Sequence, residues 1–218
     1  MKVAIIGASG MIGSRILKRC LEDEKVTEVV SFGRRELDIQ SDKLKQVVSN
    51  QLELSEAYTD HLTNTHAAFS CVGLYTGDAD AATFRKVTTD IPVAFAEALE
   101  NVAPQSIYCF LSGQGADPTE KSRLMFARDK GAAERIIGNM SLKSFHTFRP
   151  AYIYPVEKRV EPNFTYRLSR SLYPLIKRMG SNMSITSHQL GDAMFEVGVG
   201  STEANEFLSN KEIIDLLL

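Results

Sequence analysis

Residues 2–13 read Lys2-Val3-Ala4-Ile5-Ile6-Gly7-Ala8-Ser9-Gly10-Met11-Ile12-Gly13. After Lys2, Val3 to Ile6 form an unbroken, largely β-branched apolar run, and Lys2–Ile6 has the pattern of a strand buried on both faces in a parallel sheet. Ile12, Ile16, Leu17, Cys20 and Leu21 then recur at helical spacing, so an amphipathic helix follows the glycines. Between strand and helix stands G-x-x-G-x-x-G. In that setting each glycine has a task. Gly7 permits the tight turn, Gly10 lets the backbone approach a diphosphate, and Gly13 allows helix to pack closely on strand. Ser9, Met11 and Ile12 complete the turn and the first helical N–H groups, whose positive end faces an anion.

Further strands are expected at Val26–Phe32, Lys45–Val48, Ala67–Val72, Ser106–Leu111, Ser144–Phe148 and Glu206–Leu208. Helical segments alternate with them: Ala81–Glu100, with Pro92 as its internal difficulty, Lys121–Ile137, Ser187–Val197, and a last one capped by Asn210. Strand–helix alternation with short glycine-marked turns predicts an α/β fold, a Rossmann-type doubly wound sheet of seven mostly parallel strands. The pattern weakens after Pro155. Residues 1–218 are read as a single domain, with 157–187 as a small cap for substrate or partner.

The second strand ends in Gly33-Arg34-Arg35, and Arg34 lies 21 positions after Gly13. An NAD site places a carboxylate about there for the ribose 2′-hydroxyl, whereas two guanidiniums can grip a 2′-phosphate. NADP(H) is therefore favoured over NAD(H). Glu36 and Asp38 stand close by, and a slip of one residue at the strand end would weaken the inference.

Composition narrows the remaining classes. The chain has 218 residues, 44% of them hydrophobic, and a formal net charge of −2. A near-neutral chain does not attract polyanions in bulk, so nucleic acid is not an expected partner. No apolar stretch is long enough to span a bilayer. The three cysteines form no C-x-x-C pair and read as reduced thiols of a cytoplasmic protein. His61, His66, His146 and His188 have no metal-ligand spacing, and no metal is expected. Only His188, opening a helix near the cap, is kept as a substrate-site candidate.

Six ordered blocks, GASGMIG (7–13), GRRELD (33–38), FSCVG (69–73), FLSGQGAD (110–117), FARDKGAAERII (126–137) and FRPAYIYP (148–155), resemble the atypical short-chain dehydrogenases/reductases. Among these, the NmrA-like and Tat-interacting-protein oxidoreductase-like proteins are the nearest group. The resemblance implies NAD(P) binding and a C-terminal substrate cap. It implies that Cys71, Val72 and Gly73 pass the ribose and nicotinamide side of the dinucleotide, and that Pro150 and Tyr152 lie along the nicotinamide. It also implies a Tyr-x-x-x-Lys pair, whose tyrosine gives a proton and whose lysine holds the ribose. Here that stretch is Phe126-Ala127-Arg128-Asp129-Lys130. Lysine is present, but phenylalanine has no proton to give. Ser112 matches one of the two serines usual after the fifth strand. It reads either as a catalytic hydroxyl or as a strand-end hydroxyl that satisfies a turn.

Two functions stay open on these residues. One is an NADPH-dependent reductase of a quinone, flavin or carbonyl acceptor that works without the tyrosine, with Lys130 and Ser112 as the remaining catalytic candidates. Tyr75, Tyr152 and Tyr154 are available as substitutes or as packing aromatics. The other is a non-catalytic NADP(H) sensor that binds a protein partner. The small-molecule substrate is not legible. Between Glu157 and Arg178 six Lys and Arg residues face only Glu157 and Glu161, a basic aromatic stretch open to an acidic substrate, a docking partner or solvent.

Overall fold

A computed structural model describes residues 1–74, 77, 79–157, 182–200 and 206–218. Its centre is β1 (Lys2–Ile6), whose Val3, Ala4, Ile5 and Ile6 are all fully buried. Alternation sends Val3 and Ile5 to one face and Ala4 and Ile6 to the other, so a continuous apolar run is what a two-faced strand requires. Strands β2 (Glu28–Gly33), β3 (Leu44–Val48), β4 (Thr65–Ser70), β5 (Ile107–Leu111), β6 (Ser144–Arg149) and, late in the chain, Glu206–Ser209 complete a parallel sheet. Numbering β7 (Tyr152–Tyr154) and β8 (Ser184–Thr186) in chain order makes that last strand β9, and the sheet order is β3-β2-β1-β4-β5-β6-β9. The order reverses between β1 and β4, the place where such sheets bind ligands.

Helix α1 (Met11–Glu22) covers one face. The other carries α2 (Glu56–Leu62), the helical run α3 (Ala81–Arg85), π segment (Lys86–Asp90) and α4 (Ile91–Val102), and α5 (Met125–Ile137). Later helices are α6 (Ser187–Val199), packed beside α1, and α7 (Asn210–Asp215). The second face is built on an aromatic row: Phe32 to Tyr58 at 4.9 Å, Tyr58 to Phe95 at 5.0 Å, Phe95 to Tyr108 at 5.9 Å between ring centres. Both buried phenols find acceptors, Tyr58 donating to Leu52 O at 2.5 Å and Tyr108 to Pro92 O at 2.9 Å, as buried hydroxyls must.

Several expectations are corrected. The helix expected over 81–100 is interrupted by the π segment, and Pro92 falls in the first turn of α4. A π turn loosens the helix where proline lacks its N–H and its ring would crowd the carbonyl four residues back. The helix expected from Lys121 starts at Met125, because the Asp117 carboxylate takes the N–H groups of Thr119, Lys121 and Ser122 into a loop. Ser209, not Asn210, caps α7 in a capping box with Glu212. Asn210 instead accepts from Ala151 N at 2.9 Å and donates to Ser184 O at 3.1 Å. The parallel pair β7–β8 was not expected, three residues being too short to show alternation. Of the cap at 157–187, residues 158–181 lie outside the described residues. Residues 184–187 form β8 and open α6, and Ile185 is buried with Leu190 against the main sheet.

Candidate functional site

The three glycines perform different jobs. Gly7 has φ +82, and a Cβ there would lie 2.8 Å from the Cys71 carbonyl carbon and 2.9 Å from Val72 N. The turn after β1 therefore runs in backbone contact with the stretch after β4. Gly13 packs on Gly7, whose carbonyl a Cβ at 13 would overlap. Gly10 donates to Gly7 O at 2.9 Å and caps α1 with no side chain. The first-turn N–H groups of α1, which no helix can pair internally, thus meet the space above the sheet without a competing side chain. Ile12 takes part through its backbone alone, since its side chain is in the core.

That space is a cleft of about 860 Å³. It is lined by Gly7, Ser9 and Gly10 of the glycine turn, by Cys71, Val72 and Gly73 after β4, and by Gly33, Arg34 and Arg35 at the end of β2. Both arginines are exposed, while Glu36 and Asp38 stay out of the lining. The lining also holds residues that sequence reading missed: Gln46, Asn50, Glu53, Thr83 and Lys86. They come from β3, the loop after it and the helical run, and no motif links them. A smaller cavity of about 230 Å³ also adjoins the loop. Ser9, Gly10 and Met11 line it together with Pro155, Ser187 and His188, so His188 stands next to the glycine turn.

The expected catalytic residues are gathered at the ends of β4 and β5. Lys130 is not a surface lysine. It is 4% exposed, donates to Leu111 O at 2.7 Å and to Val72 O at 3.5 Å, and sits 4.5 Å from the Phe110 ring centre. Burial draws its pKa down to about 8, against the opposing pull of Cys71 and Glu134, because a low-dielectric site disfavours the ammonium. The same burial pushes the Cys71 thiol up to about 12 despite Lys130 nearby. Ser112 is 7% exposed, and its Oγ is buried with no hydrogen-bond partner among the described residues. The Phe126 ring lies directly on Gly113, leaving no room for a Cβ. Pro150 and Tyr152 do not line the described cleft. Pro150 O accepts from Gln114 N at 2.9 Å, and Tyr152 lies in β7. Tyr75 lies outside the described residues.

Residues 2–91 match the family model of the semialdehyde dehydrogenase NAD-binding domain. The chain is 26% identical over 153 residues to Protein HTATIP2 of Rattus norvegicus, covering 69% of this chain and 62% of that one. It is 31% identical over 159 residues to "Protein fmp52, mitochondrial" of Aspergillus fumigatus, covering 69% and 66%. The chain resembles the atypical short-chain dehydrogenases/reductases through these relatives. The aligned part spans somewhat under two-thirds of the rat relative's length. The fold is of the NAD(P)-binding oxidoreductase type. The Bordetella bronchiseptica enzyme WbmH, solved with NAD+, shares it with a TM-score of 0.68 at 18% identity, over 98% of this chain and 79% of that one. Among the described residues no helix is long and apolar enough to cross a membrane.

Proposed function

We propose that this protein binds NADP(H) in the large cleft and serves an oxidoreductase that lacks the family's tyrosine. The observation that carries the reading is that Arg34 and Arg35 line the same cleft as Gly7 and Gly10 while Glu36 and Asp38 do not. A dinucleotide fits the donor set. The α1 N-terminus and the bare Gly10 backbone suit a diphosphate, and two guanidiniums with no ion-pair partner among the described residues suit a 2′-phosphate. When bound, the reduced cofactor supplies a hydride. Cys71, Val72 and Gly73 would bound the ribose nearest it, with Ser9, Met11, Ile12 and Gly13 completing the turn. Lys130 braces the ends of β4 and β5 through Leu111 O and Val72 O and can release its proton near neutral pH. Ser112 is the other catalytic candidate, its Oγ buried with no hydrogen-bond partner among the described residues. The resemblance would put Pro150 and Tyr152 at the nicotinamide flank, but neither lines the cleft. Quinones, flavins and activated carbonyls are the acceptor classes that need least help from a protein acid.

Arg34→Glu tests this. NADPH affinity should fall at least tenfold while NADH affinity holds or rises. Unchanged NADPH affinity would refute the 2′-phosphate assignment. The second reading, a dinucleotide sensor with a protein partner, is favoured by Phe126, which covers Gly113 where the family carries its acid. Tight NADPH binding with no turnover across quinones, flavins and aldehydes would select it. The three unpaired cysteines support a reducing compartment, read here as the cytoplasm. The fungal relative's name places that protein in mitochondria.

A further inference from the structure

Two charged side chains of α5 are buried one helical turn apart. Lys130 and Glu134 stand at i and i+4, on one face of the helix, and both are almost wholly covered. At that spacing a lysine and a glutamate attract each other, and a low-dielectric setting strengthens the attraction. Here each turns elsewhere. Lys130 Nζ donates to Leu111 O and Val72 O. Both oxygens of Glu134 are taken by Arg149, the last residue of β6: Nε donates to Oε1 at 2.9 Å and Nη2 to Oε2. The two-pronged pair fixes direction as well as charge. Arg149 is itself braced, its guanidinium 5.1 Å over the Phe207 ring of β9. The other charges near Lys130 are engaged or absent. Asp129 is paired with Arg85 at 3.3 Å, and Cys71 keeps its thiol proton, burial having pushed it up to about 12. The Glu134 side chain is fully buried. Without Arg149 it would be an uncompensated buried charge, with the Lys130 ammonium one turn away.

We propose that Arg149 is a positioning residue for Lys130: by occupying both oxygens of Glu134 it keeps that carboxylate from capturing the ammonium, so that Nζ stays on the carbonyls of Leu111 and Val72. Val72 lines the large cleft, so the contact ties the lysine to the site. The inference rests on the reading of Lys130 above as a group that can release its proton near neutral pH, and it needs no particular cofactor. A freed Glu134 would stabilise the charged form of Lys130, and the lysine would then hold its proton to higher pH. Arg149 acts only through Glu134, so its effect should vanish when the carboxylate is neutralised.

The test is a titration of Lys130 followed by NMR in protein carrying 13C-labelled lysine, the signal being assigned by its loss in Lys130→Met. In the intact protein the midpoint should lie well below the ordinary lysine value of about 10.4. Arg149→Met should raise it by about one pH unit or more. The double variant Glu134→Gln with Arg149→Met should bring it back to within about half a pH unit of the intact protein, because an electrically neutral pair has been replaced by neutral side chains. An Arg149→Met protein whose Lys130 midpoint does not move overturns the proposal. So does a double variant that titrates as high as Arg149→Met, since the effect would then not pass through Glu134. Should Arg149→Met fail to fold, the double variant still decides, as it leaves no buried charge unpaired. A midpoint about one pH unit or more below that of the intact protein would show that Glu134 holds Lys130 despite Arg149, and would overturn the proposal. An intact protein that titrates near 10.4 overturns the reading of Lys130 as well, whereas a low intact midpoint indifferent to Arg149 overturns this proposal alone.

Discussion

Lys130 shows how one residue's setting differs from its type. An unfolded lysine titrates near 10.4, and here burial lowers the folded value to about 8. Between those values the unfolded chain holds a proton that the folded chain has lost, so folding stability rises with pH across that window. Below about 8 both states are protonated and the full cost of the buried charge remains, on the order of 3 kcal/mol. Urea unfolding at pH 7 and pH 10 should show the intact protein gaining stability relative to Lys130→Met. Equal pH dependence in the two would show that the ammonium is not strained. Taking the difference cancels the buried tyrosines and thiols that also titrate at alkaline pH. Phe126 is the complementary case, a residue defined by the atom it lacks. Phe126→Tyr restores a phenol four positions before Lys130. With an aldehyde or quinone acceptor, turnover should rise about 10²-fold. A rate unchanged by the added hydroxyl would argue that hydride transfer here needs no protein acid, or that no transfer occurs.

Helices α1 and α6 are joined by charge as well as by apolar packing. Arg15 holds Asp192 through two bonds of 2.8 Å, while Arg19 bridges Asp192 at 3.0 Å and Glu196 at 2.7 Å. Arg19 also lies 4.6 Å over the Phe195 ring. Burial alone would push the Asp192 carboxyl up, but the two guanidiniums outweigh it and hold it below the usual range. Its contribution is therefore present above the unfolded carboxylate value of about 3.9 and is lost as pH falls through the lower folded value. Asp192→Ala should cost about 1–3 kcal/mol at neutral pH, because both partly covered arginines lose a partner. The gap between the two proteins should narrow in chemical unfolding below about pH 4. A gap that stays constant with pH would mean that lost packing, not charge, sets the cost.

At the scale of the whole molecule, stability should be graded across the sheet. The strands β1, β4 and β5 are central and almost wholly buried, whereas β3 is a partly exposed edge. Amide hydrogen exchange should be slowest in β1 and β4 and about 100-fold or more faster in β3, since edge strands open without global unfolding. Uniform protection from β3 to β6 would contradict that picture.

The sequence by itself determined the architecture. Gly7, Gly10 and Gly13 after a β-branched run, and Gly33 before two arginines, are local signals: backbone angles, alternation and helical spacing act over a few residues. It also determined the glycines and arginines that line the cleft. Tertiary structure decided what else lines the cleft. Glu53 and Lys86 are separated by more than thirty positions and meet because parallel strands bring all their C-terminal ends to one edge. It decided that Lys130 is buried beneath backbone carbonyls, and that Asn210 ties Ala151 to Ser184 while Ser209 caps the helix. It also set the π turn before Pro92. Each of these depends on which distant segment lies alongside, and spacing along the chain carries no record of that.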